Sequence, residues 1–120
     1  VRFLGWRDDP PALLAAADLF LCSSRHEPLG NIVLDAWAHG VPVVAARAQG
    51  PTQLIEDGRT GLLAPVDDAE ALAAAVQRLI EAPDLGQDIA GQAHAVFLER
   101  FSEGPVVAAY QTFLDSVKKG

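Results

Sequence analysis

The sequence predicts an α/β fold, a short parallel sheet flanked by helices with a helical C-terminal extension, and three observations carry that expectation. Short apolar runs alternate with helically spaced segments over residues 1–66. Two of those runs, 18–22 and 41–46, are apolar at nearly every position, as strands are when helices cover both faces of a sheet. After Pro65 the strand pattern stops, and residues 67–120 carry helical spacing only. Strands alternating with helices read as βαβ units and hence a parallel sheet.

Each element follows from its own residues. The first expected strand is 1–4, closed by Gly5. Asp8 and Asp9 then offer an N-cap to a helix over 10–17, with proline early in its first turn. Strand 18–22 runs into Ser23 and Ser24. A helix over 29–38 stops at His39 and Gly40, before strand 41–46. A helix over 51–56 ends in the turn Asp57-Gly58, and strand 61–64 precedes Pro65. Asp67 or Asp68 caps a helix over 68–82, with Leu72, Val76, Leu79 and Ile80 on one face. Pro83 and Asp84 open the next, carrying Ile89, Ala93, Val96, Phe97 and Phe101 at steps of three and four. Ser102 caps a last helix through Val106, Ala109, Tyr110, Phe113 and Val117. Lys118 and Lys119, before Gly120, suit the negative end of its dipole. Twenty-one alanines favour helix and close packing.

Composition excludes several classes. One hundred and twenty residues, half of them apolar, make one domain with a real core and no disordered chain. Nine basic against sixteen acidic residues give a formal net charge of −7. That balance argues against nucleic-acid binding and against a polybasic membrane patch. Five basic and seven acidic groups fall in residues 1–60, four and nine in 61–120, so chemistry for an anion belongs to the first half. The lone Cys22 leaves no internal disulfide and no cysteine metal site. The three histidines, His26, His39 and His94, are scattered, and no metal is expected. No apolar run approaches the ~20 residues that cross a bilayer. The reading is a soluble, cytoplasmic domain.

Strand 18–22 leads through Ser24, Arg25, His26, Glu27, Pro28, Leu29 and Gly30 into a helix. In an open parallel sheet, ligands sit beyond the carboxyl ends of the strands. The free amides around Gly30, Asn31 and Ile32 would point to that crevice and suit a phosphate or a sugar hydroxyl. Gly30 admits close approach of a ligand to the backbone. Glu27 before the helix and Asp35 in its second turn can face the same crevice, and a carboxylate suits a vicinal diol. On spacing alone a plainer alternative stands beside this: Glu27 caps the helix and Asp35 is an ordinary surface carboxylate. Ser23, Ser24 and His26 lack an acid partner at nucleophile-elbow spacing, which leaves hydrolase chemistry unsupported.

The run from Ser24 to Ala45 closely resembles a signature of retaining glycosyltransferases of the GT-B fold, the group that includes glycogen synthase and lipopolysaccharide sugar transferases. That signature is Ser, two residues, Glu, seven residues, a second carboxylate, a small helix face and Gly-x-Pro-Val-Val. Here these are Ser24, Glu27, Asp35 and Gly40 to Val44. The likeness continues through Gly50, through Ile55-Glu56-Asp57-Gly58-Arg59-Thr60-Gly61-Leu62-Leu63 and into Asp68-Ala69-Glu70-Ala71-Leu72. Upstream, Phe3-Leu4-Gly5 and Ala17 to Phe20 also fit. The resemblance implies a truncated Rossmann-like domain, the donor-binding half of such an enzyme, that transfers sugar from a nucleotide-sugar with retention.

Carried across by residue, the resemblance places Glu27 at the reacting carbon of the donor sugar as the catalytic residue. Leu29, Gly30 and Asn31 would offer amides to the sugar or diphosphate, with Ser24 beside them, and Asp35 would hold the ribose. Gly5 and Trp6 lie in the segment whose backbone meets the nucleobase. The nucleotide-sugar is a substrate, so no cofactor is implied. Two departures stand out: Asp35 replaces the usual glutamate, and Gln53 stands where a glutamate usually follows the glycine pair, here Gly50 and Pro51. The resemblance also implies two further βα units carrying an Arg and a Lys for the diphosphate, and an N-terminal acceptor domain, none of them within these residues. Its parent would be cytoplasmic, with peripheral attachment at the inner membrane left open. Other readings remain a nucleotide-sugar-binding half-domain inactive alone, or an inert fragment that self-associates. Strand 18–22 would lack its inner neighbour. Residues 1–4 are therefore expected to pair beside it, or two copies to form a homodimer through that exposed edge.

Overall fold

A computed structural model describes residues 1–119. Three strands, β1 (Phe20–Cys22), β2 (Val43–Ala46) and β3 (Leu62–Ala64), form one parallel sheet in the order β1-β2-β3. Phe20 lies beside Val43, and Val44 beside Leu62. The strands are shorter than their apolar runs. Pro42 accepts from the Phe20 amide through its carbonyl but has no N–H of its own, so β2 starts at Val43, two residues into its apolar run. All four β2 residues are buried, as expected of a central strand covered on both faces.

Alternation sorts the side chains onto two faces. Val43 and Ala45 meet α2 (Asn31–Ala38), α1 (Pro10–Ala16) and the segment after α3 (Gln49–Leu54) in a cluster with Val33, Ala36, Trp37 and Ile55. Val44, Leu62 and Ala64 meet α4 (Ala69–Glu81) through Leu72 and Leu79 on the other face. α5 (Pro83–Val96) serves both: Ile89 belongs to the second cluster, Ala93 and Val96 to the first. It crosses beneath the amino ends of β1 and β2, where a groove is lined by Asp18, Pro42, Gly86 and His94. The His94 Nδ1–H donates to the Trp37 carbonyl at 2.9 Å and ties α5 to α2. The carboxyl ends of the strands are thereby left free for chemistry.

Three expectations need correction, and one open choice is decided. Residues 1–4 form no strand: they are coil and pair with nothing, and Val1 and Phe3 are fully exposed. Three apolar residues around Arg2 become a strand only through a partner ladder, and none is made, so among the described residues β1 keeps an open outer edge. Asp9 occupies the N-cap of α1 without capping it, because Arg7 binds both carboxylate oxygens at 2.6 Å. That guanidinium holds the Asp9 carboxyl below the usual carboxylate range. Ser102 does not cap the final helix, α6 (Glu103–Lys119), with its hydroxyl. The residue three positions on is Pro105, which has no N–H, and the hydroxyl donates instead to Leu98 O at 2.6 Å across a π-helical turn, Phe97–Phe101. Of the two caps open to α4, Asp68 is the one used, its carboxylate accepting from the Ala71 amide at 2.9 Å.

α6 has the expected apolar stripe, but Tyr110, Phe113, Leu114 and Val117 are all more than half exposed. The helix stands away from the body and lengthens the molecule, whose extents with it are 54 × 29 × 28 Å. The radius of gyration is 16.0 Å, against about 14 Å for a compact chain of this length. The expected stop at Gly120 lies outside the described residues.

Trp37 is the largest fully buried side chain, and its indole N–H has no described partner. Replacing Trp37 by Ala should cost about 3–5 kcal/mol through loss of burial and a cavity. Trp37→Phe should cost clearly less, since it removes the orphan donor while keeping a ring. Chemical denaturation of the two variants measures the difference.

Candidate functional site

β1 ends at Cys22, and the chain then makes a tight loop, 23–30, before α2. Gly30 closes that loop with φ +73°, a left-handed conformation costly for any residue with a Cβ. α2 therefore begins at Asn31, two residues later than expected. A second glycine makes the arrangement possible. The Gly50 amide donates to the Glu27 carbonyl at 2.6 Å. A Cβ on Gly50 would collide with the Gly30 amide nitrogen, and it would lie 2.6 Å from that same carbonyl. One on Gly30 would lie 2.7 Å from Leu54 Cδ1 and 3.1 Å from the Gly50 backbone. The two backbones cross in direct contact, which fixes the loop against α3. α3 begins at Gln49 because proline is tolerated in a first helical turn, so Pro51 need not open it.

Glu27 is half-buried, and its Oε1 accepts from the Gly30 amide at 3.3 Å. The Val33 and Leu34 amides turn back to the Gly30 carbonyl. The amides of Asn31 and Ile32 donate to no described atom and are free at the start of α2. Asn31 and Asp35 are exposed and one helical turn apart, on one face. Ser24 and Leu29 are exposed on the same loop. The carboxyl end of β1 thus brings together Ser24, Glu27, Leu29, Gly30 and Asn31, with Asp35 one turn further along α2. Gly5 and Trp6 lie in coil before α1, with Trp6 97% exposed, and no described hydrogen bond links either to α2.

Two side-chain ties at the edges of this site gave no signal in the spacing. Asp57 Oδ1 accepts from the Leu63 amide at 3.0 Å, Asp57 bridges Gly61, and Arg47 reaches its Oδ2 at 3.2 Å. Asp57 thereby closes the outer edge of β3. The second is Arg25 Nε to Asp67 Oδ1, 2.5 Å, from the site loop to the β3–α4 turn. Asp67 has φ +63°, the one non-glycine residue in left-handed conformation among those described. That conformation costs about 1 kcal/mol, and a pair this exposed contributes at most ~1 kcal/mol, so the two roughly cancel.

Among the described residues, no three His, Cys, Asp or Glu side chains converge as a metal site would require. No helix of the described residues is long and apolar enough to cross a membrane.

The family model described as "Glycosyl transferases group 1" matches residues 1–82. The chain belongs to that family. It is 41% identical over 116 residues to the lipopolysaccharide core biosynthesis glycosyltransferase LpsE of Rhizobium meliloti, covering 97% of this chain and 34% of that protein. Across 112 residues it is 34% identical to N-acetyl-alpha-D-glucosaminyl L-malate synthase of Bacillus anthracis, covering 93% of this chain and 29% of that protein. The crystal structure of Anabaena HepE in complex with UDP and glucose superposes with a TM-score of 0.88 at 36% identity, over 100% of this chain and 32% of that one. The fold expected from the resemblance, part of a GT-B enzyme, is thereby the fold observed. The family member described here spans about a third of the length of these relatives.

The glycine crossing gives a direct test. Gly50→Ala, whose Cβ meets backbone, should destabilise by about 1–3 kcal/mol beyond Gly58→Ala. Gly58 has φ +83° with open space around it, so its alanine variant carries the left-handed cost alone, ~1 kcal/mol. Denaturant midpoints of the two variants report the contrast.

Proposed function

We propose that this chain supplies donor-binding machinery to a longer glycosyltransferase, which moves a sugar from a nucleotide-sugar to an acceptor with retention at the anomeric carbon. One observation carries this reading: free amides at Asn31 and Ile32 open α2 beside a half-buried Glu27, with Asp35 one turn away. The UDP and UDP-glucose complexes of HepE support a nucleotide-sugar as the donor class. In this reading the amides and the α2 dipole receive the diphosphate, and Asp35 accepts from the ribose hydroxyls. Glu27 faces the anomeric carbon and stabilises the positive charge that develops there as its bond to the diphosphate oxygen breaks. The acceptor oxygen bonds to the same face of that carbon, and its proton passes to the departing diphosphate. Nothing in the chemistry calls for a metal or a cofactor.

The relatives are about three times as long. The cationic diphosphate contacts and the acceptor site therefore belong, in this proposal, to other parts of the full-length protein. A preceding segment would cover the open edge of β1 in place of a second copy. The isolated chain should bind nucleoside diphosphates weakly and transfer no sugar. Its place is the cytoplasm.

In the full-length protein, Glu27→Gln should nearly abolish turnover while nucleoside diphosphate binding persists. Wild-type turnover in that variant would remove Glu27 from the chemistry. Asp35→Asn should weaken the donor by roughly 1.5–3 kcal/mol, the loss expected for a charged hydrogen-bonding contact, with a smaller effect on turnover. Isothermal titration with the nucleoside diphosphate measures it, and unchanged affinity would refute the ribose role.

A further inference from the structure

We infer that Arg25 and Asp67 are positioning residues, a strap that sets the geometry of the diphosphate-facing loop and contributes nothing to fold stability. The inference rests on the donor reading above and adds to it two residues that touch neither donor nor acceptor.

β1 and β3 are each one strand from β2, so about 10 Å separates their carboxyl ends. The Arg25–Asp67 pair joins the loops that leave those two ends. On the β1 side it grips the loop two residues before Glu27 and five before Gly30. On the β3 side it holds a residue in a backbone conformation that carries its own cost, immediately before the α4 cap Asp68. Both side chains are largely in solvent, 70% and 57% exposed. A pair of that kind adds little stability, and here even that little is offset by the left-handed backbone. Strain kept without a gain in stability points to a functional cause. What the pair holds is the far side of loop 23–30, whose near side the Gly30–Gly50 crossing already fixes. Together they clamp the loop at two points, and the Asn31 and Ile32 amides stand at its exit.

Asparagine and glycine both accept left-handed backbone more readily than aspartate. Asp67→Asn and Asp67→Gly therefore cut the strap without imposing new strain. In the full-length protein both variants should keep or raise the melting temperature. Both should also lose affinity for the nucleoside diphosphate that the wild type binds, tested among UDP, GDP and ADP, by about three- to tenfold, with kcat within twofold of wild type. Loss of function with equal or greater stability is a signature that a merely structural contact does not give. Arg25→Gln should lose affinity equally, and the double variant Arg25→Gln with Asp67→Asn should lose no more than either alone. Unchanged affinity in the Asp67 variants overturns the inference, as does a loss that tracks a falling melting temperature or that adds in the double variant. A wild type that binds none of the three diphosphates overturns the donor reading, and this inference with it.

Discussion

The contact on which the candidate site depends is between two stretches of bare backbone, at Gly30 and Gly50. The Gly50 amide reaches the Glu27 carbonyl only because neither glycine interposes a side chain. That hydrogen bond links the loop after β1 to the helix after β2. It also fixes where α2 begins, and with it which amides are left without a carbonyl. A hydrophobic contact could not do this, since apolar packing is non-directional and leaves a loop free to slide. Two glycines far apart in sequence thus specify one point in space, and the side chains around them are oriented from it.

How much of this was legible follows from the range of each interaction. Alternation between short apolar runs and helical spacing is local, so the order of helices and strands and the change after Pro65 were legible. The α4 cap was legible too, as one of two neighbouring aspartates. Element ends were less so, because Pro42 and Gly30 act through a missing N–H and a positive φ, and each shifts an end by one or two residues. Residues 1–4 have the composition of a strand but no ladder to join, and pairing is a property of two segments. The site residues after β1 lie together because one loop carries them, which spacing can anticipate. Gly5 and Trp6 came from resemblance alone, since neither periodicity nor spacing singles them out. Arg25–Asp67 and Asp57–Leu63 were out of reach, because a single tie across many residues leaves no periodic trace.

The division of labour between the two ends of the sheet has a simple cause. α5 passes under the amino ends and joins the two apolar clusters through Ile89 and Ala93, so stability is concentrated there. The carboxyl ends carry charged loops, free amides and left-handed residues, each of which is tolerated because the packing below is complete. Such a separation lets the upper loops vary their polar groups without disturbing the core.

Asp57 has a consequence that reaches beyond a single molecule. By binding the Leu63 amide and bridging Gly61, it occupies the outer border of β3, whereas β1 has no such guard. Among the described residues the sheet is therefore closed at β3 and unguarded at β1, the border that a preceding segment of the longer protein takes up in the proposal above. An edge-to-edge chain of molecules needs two free borders on each copy, one to give and one to receive. Fibrous polymerisation through this sheet is therefore closed off by one carboxylate on the side opposite the open strand.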